Sequence, residues 1–100
     1  MNPGGSAAQG FLIDAPHAVI GLVDVLETAE EFGAVSAGLV AWEFMVLEPA
    51  VGLVWRRALD EQLLSPRHTD PETGEAMFAL TGRGKARLRE LRAHRDRFRE

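Results

Sequence analysis

The sequence contains no cysteine, which excludes a disulfide framework and any thiolate metal site and leaves nothing that demands an oxidising compartment. Long apolar runs are missing too. The longest uncharged apolar run, Phe32 to Trp42, is too short to span a bilayer, and Met1 to Gly10 carries no positive segment of the secretory kind. A soluble cytoplasmic protein without membrane contact is therefore expected. Histidine is sparse: His17, His68 and His94 lie far apart, with no i, i+4 pair, so no metal site is expected. Asp24, Glu27, Glu30 and Glu31 have no His or Lys beside them as an acid or base and read as a solvated helix face. Gly82-Arg83-Gly84-Lys85 is too short for a phosphate-binding loop. These absences argue against an enzyme and against any cofactor. Lysine is also scarce, with Lys85 alone against ten arginines, a bias that points to a GC-rich bacterial genome.

At 100 residues the chain can build one modest core and not two. Apolar residues make up 46% and charged residues 26%, ordinary globular proportions that speak against disorder. The formal charge of −4 hides an asymmetry. Residues 1–81 hold three basic groups (Arg56, Arg57, Arg67) against twelve acidic ones, whereas residues 82–100 hold eight basic groups against Glu90, Asp96 and Glu100. The C-terminal segment thus carries nearly all the positive charge.

Residues 1–13 are rich in small and turn-forming residues and read as a flexible tail, followed by one domain over 14–100. A first helix is predicted from the cap Asp14 to Phe32, stopped by Gly33. Val19, Leu22, Val23, Leu26, Ala29 and Phe32 form its inner face; His17, Gly21, Asp24, Thr28 and Glu31 form the outer one. Ser36 caps a second helix to about Phe44, burying Leu39, Val40 and one of Trp42 or Phe44. Both tryptophans, Trp42 and Trp55, are read as core by their helical spacing. After a turn at Met45 to Glu48, Pro49 opens a third helix with a buried stripe of Val51, Val54, Trp55, Ala58 and Leu59, ending near Gln62. Leu63 to Thr69 and Glu75 to Leu80 read as a hairpin joined by Asp70-Pro71-Glu72-Thr73-Gly74. Pro66, with no N–H to donate, belongs on the unpaired side of an edge strand. Thr81 caps a last helix over about 82–100, with Gly82 and Gly84 weakening its first turn. The fold class is mainly α with a small β-hairpin, in the order α-α-α-β-β-α.

That order resembles the winged-helix domains of bacterial transcription regulators of the MarR and PadR kind over Ser36 to about Leu91. The likeness rests on the cap Ser36, Ala41, Val51, Trp55, Leu63-Leu64, Asp70 to Gly74, and the run Phe78-Ala79-Leu80-Thr81-Gly82-Arg83-Gly84. The resemblance implies that the third helix reads the major groove of double-stranded DNA with the hairpin as a wing. Arg56, Arg57, Arg67, Arg83 and Lys85 are the candidate DNA contacts. By the same resemblance the terminal helices join two copies, with Leu88, Leu91 and Phe98 as the seam of a homodimer; the alternative is that Leu88 and Leu91 cover the domain's own core.

The residues depart from the family pattern at the start of the third helix. Leu47-Glu48-Pro49-Ala50-Val51-Gly52-Leu53 offers almost no hydrogen-bonding side chain, where relatives are rich in Ser, Thr, Asn, Gln or Arg. Arg56 and Arg57 could instead pair with Asp60 and Glu61 four residues on. The wing carries Asp70, Glu72 and Glu75 behind Arg67 and His68. A second function is accordingly open: a protein partner bound through Leu47, Ala50 and Leu53. Gln62 stands where the pattern has Gly, at a position that strains a side-chain-bearing residue if the backbone is left-handed.

Overall fold

The computed structural model describes residues 20–99, with side chains through Arg97. The elements are α1 (Leu22–Phe32), α2 (Ala37–Phe44), α3 (Pro49–Asp60), β1 (Leu64–Thr69), β2 (Ala76–Leu80) and α4 (Gly82–Arg99), the predicted order. The predicted tail at 1–13 and the cap Asp14 lie outside the described residues.

Helix α1 begins at Leu22 and does not run through from Asp14. Gly21 is extended, with φ −99° and ψ 169°, and its N–H donates to Asp24 Oδ2 at 2.8 Å. This is the reaching-back half of a capping box, which satisfies a backbone donor that a continuous helix would use internally. The inner face also differs from the predicted one. Val25 and Thr28 are buried and Phe32 is exposed. Thr28 is tolerated inside because its hydroxyl donates to the Asp24 carbonyl one turn back, at 2.7 Å. The helix stops at Gly33, whose φ of 83° and N–H bond to Ala29 O (2.9 Å) close the last turn.

Ser36 caps α2 as expected, its Oγ accepting from Leu39 N–H at 3.1 Å. Val40 and Ala41 are buried, but Trp42 and Phe44 are exposed, which corrects their assignment to the core. Val51 and Ala58 are the buried residues of α3, and Trp55, half-buried, meets Phe78 edge-on with ring centroids 5.5 Å apart. Val25, Leu26, Val35, Val40, Val51, Leu63 and Leu88 sit at the centre of one core drawn from the helices and the hairpin base.

Strands β1 and β2 pair antiparallel, and Val35 exchanges both backbone bonds with Phe78 (2.8 and 2.7 Å) on the other side of β2. Pro66 lies opposite Phe78. Because Phe78 turns its N–H and C=O toward Val35, the Pro66 pair needs no ladder bond, and the missing N–H faces outward from an edge strand. The register slips between Pro66 and His68, leaving Arg67 as the extra residue of a β-bulge. At the wing tip, Asp70 Oδ1 accepts from Glu72 N–H (2.7 Å) and Thr73 N–H (3.3 Å), and Gly74 takes φ 77°.

The exit from the wing is built around Thr81. Its N–H donates to Leu63 O (3.0 Å), its hydroxyl donates to Gln62 O (2.7 Å) and accepts from Gly84 N–H (2.9 Å). Gln62 is left-handed, with φ 60°, so a side-chain-bearing residue carries backbone strain at this helix end, as expected for that conformation.

Candidate nucleic-acid interface

Helix α3 is packed on one side only. Its exposed residues are Pro49, Ala50, Gly52, Leu53, Arg56, Arg57 and Asp60. Pro49, Leu53, Arg56 and Asp60 recur at three- and four-residue intervals along the middle of that face, with Ala50 and Arg57 flanking it. Leu53 is 87% exposed, and the turn before the helix exposes Trp42 (80%), Met45 (91%) and Leu47 (79%). Four large apolar side chains in water around one helix-turn-helix corner mark a surface made for contact.

The predicted basic contacts fall into separate groups. Arg56 makes no ion pair among the described residues. Arg57 Nε donates to Glu61 Oε2 at 2.9 Å along the same helix, one of the two alternatives the spacing allowed. The Arg57 hydrogen bond holds the Glu61 carboxyl below its ordinary range, with Arg87 and Arg83 adding attraction, so Arg83 lies in the electrostatic neighbourhood of the C-terminal end of α3. Arg67 and Lys85 instead share a shallow groove with Ala29, Glu30, Gly33, Ala79 and Leu80, at the end of α1. Arg56 with Arg57 and Arg83 thus belongs to the side of α3, and Arg67 with Lys85 to another side of the wing.

Carboxylates frame the start of α2. Ser36 Oγ donates to Glu75 Oε1 at 3.1 Å, and a Cβ on Gly38 would lie 3.1 Å from Glu75 Oε2 and 3.7 Å from Glu48 Oε1. Glu48 and Glu75 therefore lean toward the positive end of α2. Glu75 joins the cap from 39 residues away, a pairing no local pattern announces.

The interface residues predicted on α4 also separate. Leu88 is 1% exposed and belongs to the chain's own core, which removes it from a seam between copies. Leu91 packs partly against that core, and the side chain of Phe98 lies outside the described residues. The outer half of α4 is held to α1: Arg92 Nε meets Glu27 at 3.0 Å, Arg92 Nη2 meets Glu30 at 2.7 Å, and Arg95 Nη2 meets Glu27 at 3.2 Å. The bond from Arg95 is the main cause that lowers the Glu27 carboxyl below its ordinary range; burial opposes it and Arg92 adds to it. Glu30 first and Glu27 second raise Arg92, and Glu27 raises Arg95. The acidic face of α1, read from the sequence as solvated, is in part an ion-pair surface. Opposite charges that pair across 62 to 68 positions of sequence leave no spacing signal in it.

Among the described residues no group of His, Asp or Glu could hold a metal ion, and no helix is long and apolar enough to cross a membrane.

Three helices, a two-stranded wing bridged to Val35 and a following long helix define a winged helix. Solved structures of MarR family regulators share it. One MarR family transcription regulator superposes with a TM-score of 0.64 at 20% identity, over 89% of this chain and 66% of that one. A second, from Silicibacter pomeroyi, gives 0.61 at 18%, over 78% and 52%. A third, from Neisseria meningitidis, gives 0.60 at 18%, over 87% and 59%. The chain thus matches from about half to just under two thirds of the length of these proteins. No family model matches the sequence, and no curated protein matches it.

Proposed function

We propose that the protein is a cytoplasmic, non-catalytic transcription regulator that binds double-stranded DNA through α3, with the β1–β2 hairpin as its wing. The observation that carries this reading is the free face of α3: a helix open to solvent along one side, beside a wing, with Arg56 unpaired among the described residues and aimed from that face. Arg56 supplies the fork that matches guanine O6 and N7 or a phosphate. Arg57 joins it by exchanging Glu61, a solvent-facing partner at the end of the same helix. Arg83 adds phosphate attraction at the far end of α3, while Arg67 and Lys85 serve a second stretch of backbone. On a twofold-symmetric site a second copy would place another α3 one helical turn away, with Leu91 and Phe98 joining the two.

A second reading is favoured by Trp42 and Met45, which stand in water at the corner before α3 and fit a protein partner better than a phosphate. Fluorescence anisotropy on labelled genomic fragments across a salt series separates the two. The DNA reading expects affinity that falls steeply with salt, with the Arg56→Ala slope shallower by about one unit per lost phosphate contact. Absence of salt-dependent binding at low ionic strength overturns it in favour of the protein partner.

A further inference from the structure

Resting on the DNA reading, we infer that the exposed face of α3 recognises the C5-methyl groups of thymine, with Leu53 and Ala50 as the reading residues and Arg56 as the single hydrogen-bonding anchor beside them. The composition of the face dictates this. In the major groove a base edge presents hydrogen-bond donors, acceptors or the thymine methyl, and an aliphatic side chain has favourable contact only with the last. Any other edge pressed against Leu53 would lose water without gaining a bond.

Leu53 is 87% exposed and lies one turn from Arg56, so the two reach adjacent base pairs on one face. Ala50 precedes Leu53 by three residues on the same side and is small enough to let the helix lie deep. Gly52, also exposed, has nothing within 4 Å of a Cβ position, so the backbone there is open to close approach by a duplex. Glu48, the carboxylate at this end, brings Oε1 to 3.7 Å from a Cβ position on Gly38 at the start of α2, and it lines a shallow groove with Pro49, Gly52 and Arg56 that Leu53 does not line. Charge complementarity is supplied by Arg56, exposed on the same helix face and without an ion pair among the described residues, with Arg57 added only when it leaves Glu61.

The test uses genomic fragments amplified either with thymidine triphosphate or with deoxyuridine triphosphate, which leaves every hydrogen-bonding group in place and deletes only the methyl. Fragments that bind the full-length protein are compared pairwise by competition anisotropy. Each methyl seated against Leu53 or Ala50 contributes about fourfold to affinity, from about 0.8 kcal/mol per buried methyl-sized group. The uridine duplex is therefore expected to bind several-fold more weakly. In Leu53→Ala, an exposed position whose replacement leaves the core intact, the thymine-over-uridine ratio is expected to drop toward one; in Arg56→Ala both duplexes weaken and the ratio survives. Equal binding of the two duplexes by the unsubstituted protein overturns the thymine inference and leaves the DNA reading standing. Absence of binding to either duplex overturns both.

Discussion

Two glycines stand two residues apart at the start of α4, and the structure assigns them opposite roles. A Cβ on Gly82 would meet nothing within 4 Å, whereas a Cβ on Gly84 would run into the Leu63 carbonyl oxygen and lie 3.0 Å from both the Leu63 carbonyl carbon and Leu80 Cδ2. Replacing glycine by alanine inside a helix favours the helix by about 1 kcal/mol. At Gly84 that gain is opposed by overpacking of about 1–3 kcal/mol. Displacing Leu63 also disturbs the bond its oxygen accepts from Thr81 N–H, worth about 1 kcal/mol. Gly84→Ala is thus expected to destabilise the fold by about 1–3 kcal/mol net, and Gly82→Ala to leave it unchanged or up to about 1 kcal/mol more stable. Urea denaturation followed by far-UV circular dichroism reads this directly: with a slope of about 1 kcal/mol/M for so small a domain, the Gly84→Ala midpoint falls by about 1–3 M. Equal midpoints for the two variants would refute the close approach of α4 to the hairpin base.

Leu88→Ala is expected to lose about 2–5 kcal/mol in the same assay, as for a fully buried leucine; a small loss with a change in molecular mass on gel filtration would return Leu88 to an interface between copies. Glu27→Gln is expected to lower stability by about 1 kcal/mol at pH 7, since the two pairs it breaks are partly exposed. The folded chain binds the Glu27 proton less readily than the unfolded chain, so this contribution is present above the ordinary glutamate value of about 4.3 and disappears as pH falls through the lowered folded value. Thermal melts of the two proteins should therefore approach each other as pH falls below the ordinary glutamate value and converge once it passes below the lowered folded one. Gln62→Gly is expected to stabilise by about 0.5–1 kcal/mol by relieving the left-handed backbone, read as a higher urea midpoint.

Local rules were enough to place α2, α3, the hairpin and the start of α4, because each has its signal in adjacent residues: Ser36 as cap, Pro49 at the first turn, Asp70 to Gly74 at the wing tip, Thr81 before the last helix. Where the sequence misled, tertiary context decided. Helical spacing put Phe32 and Trp42 inward, but each sits near the end of its helix, where the face of the last turn opens to solvent. Helical spacing likewise put Thr28 on the outer face with Asp24 and Glu31, and its bond to a backbone carbonyl within the helix makes burial possible. The candidate site was legible as a list of arginines and not as a surface. Spacing on α3 identified Arg57–Glu61 as a possible pair, but nothing in the sequence separates Arg67 and Lys85 from Arg56, since the bulge and the groove that hold them form only when β1 meets β2.

The basic C-terminal segment is the clearest case of charge that cannot be assigned from composition. Its eight basic residues carry nearly all the positive charge of the chain, yet Arg92 and Arg95 are bound to Glu27 and Glu30 of α1, and Arg87 to Glu90 of its own helix. These charges neutralise carboxylates already present in the chain, so they release few counterions when a duplex approaches, and counterion release is what gives protein–DNA binding its strength at low salt. The outer half of α4 is therefore a strut fastened to α1 by ion pairs, with Leu88 beneath it as the apolar anchor. Among the described residues the positive charge without an ion pair lies around α3 and the wing, in Arg56, Arg83, Arg67 and Lys85, and along α4 in Arg89 and Arg97, while Arg57 is held by Glu61. Removing residues 82–100 as a block would confound the two roles, because it would uncover the Leu88 site and unpair Glu27 and Glu30 while deleting Arg83 and Lys85. Single substitutions at Arg56 and Arg83, set against Arg92, are the changes that separate the charges the proposed function assigns to a duplex from those that hold the helix.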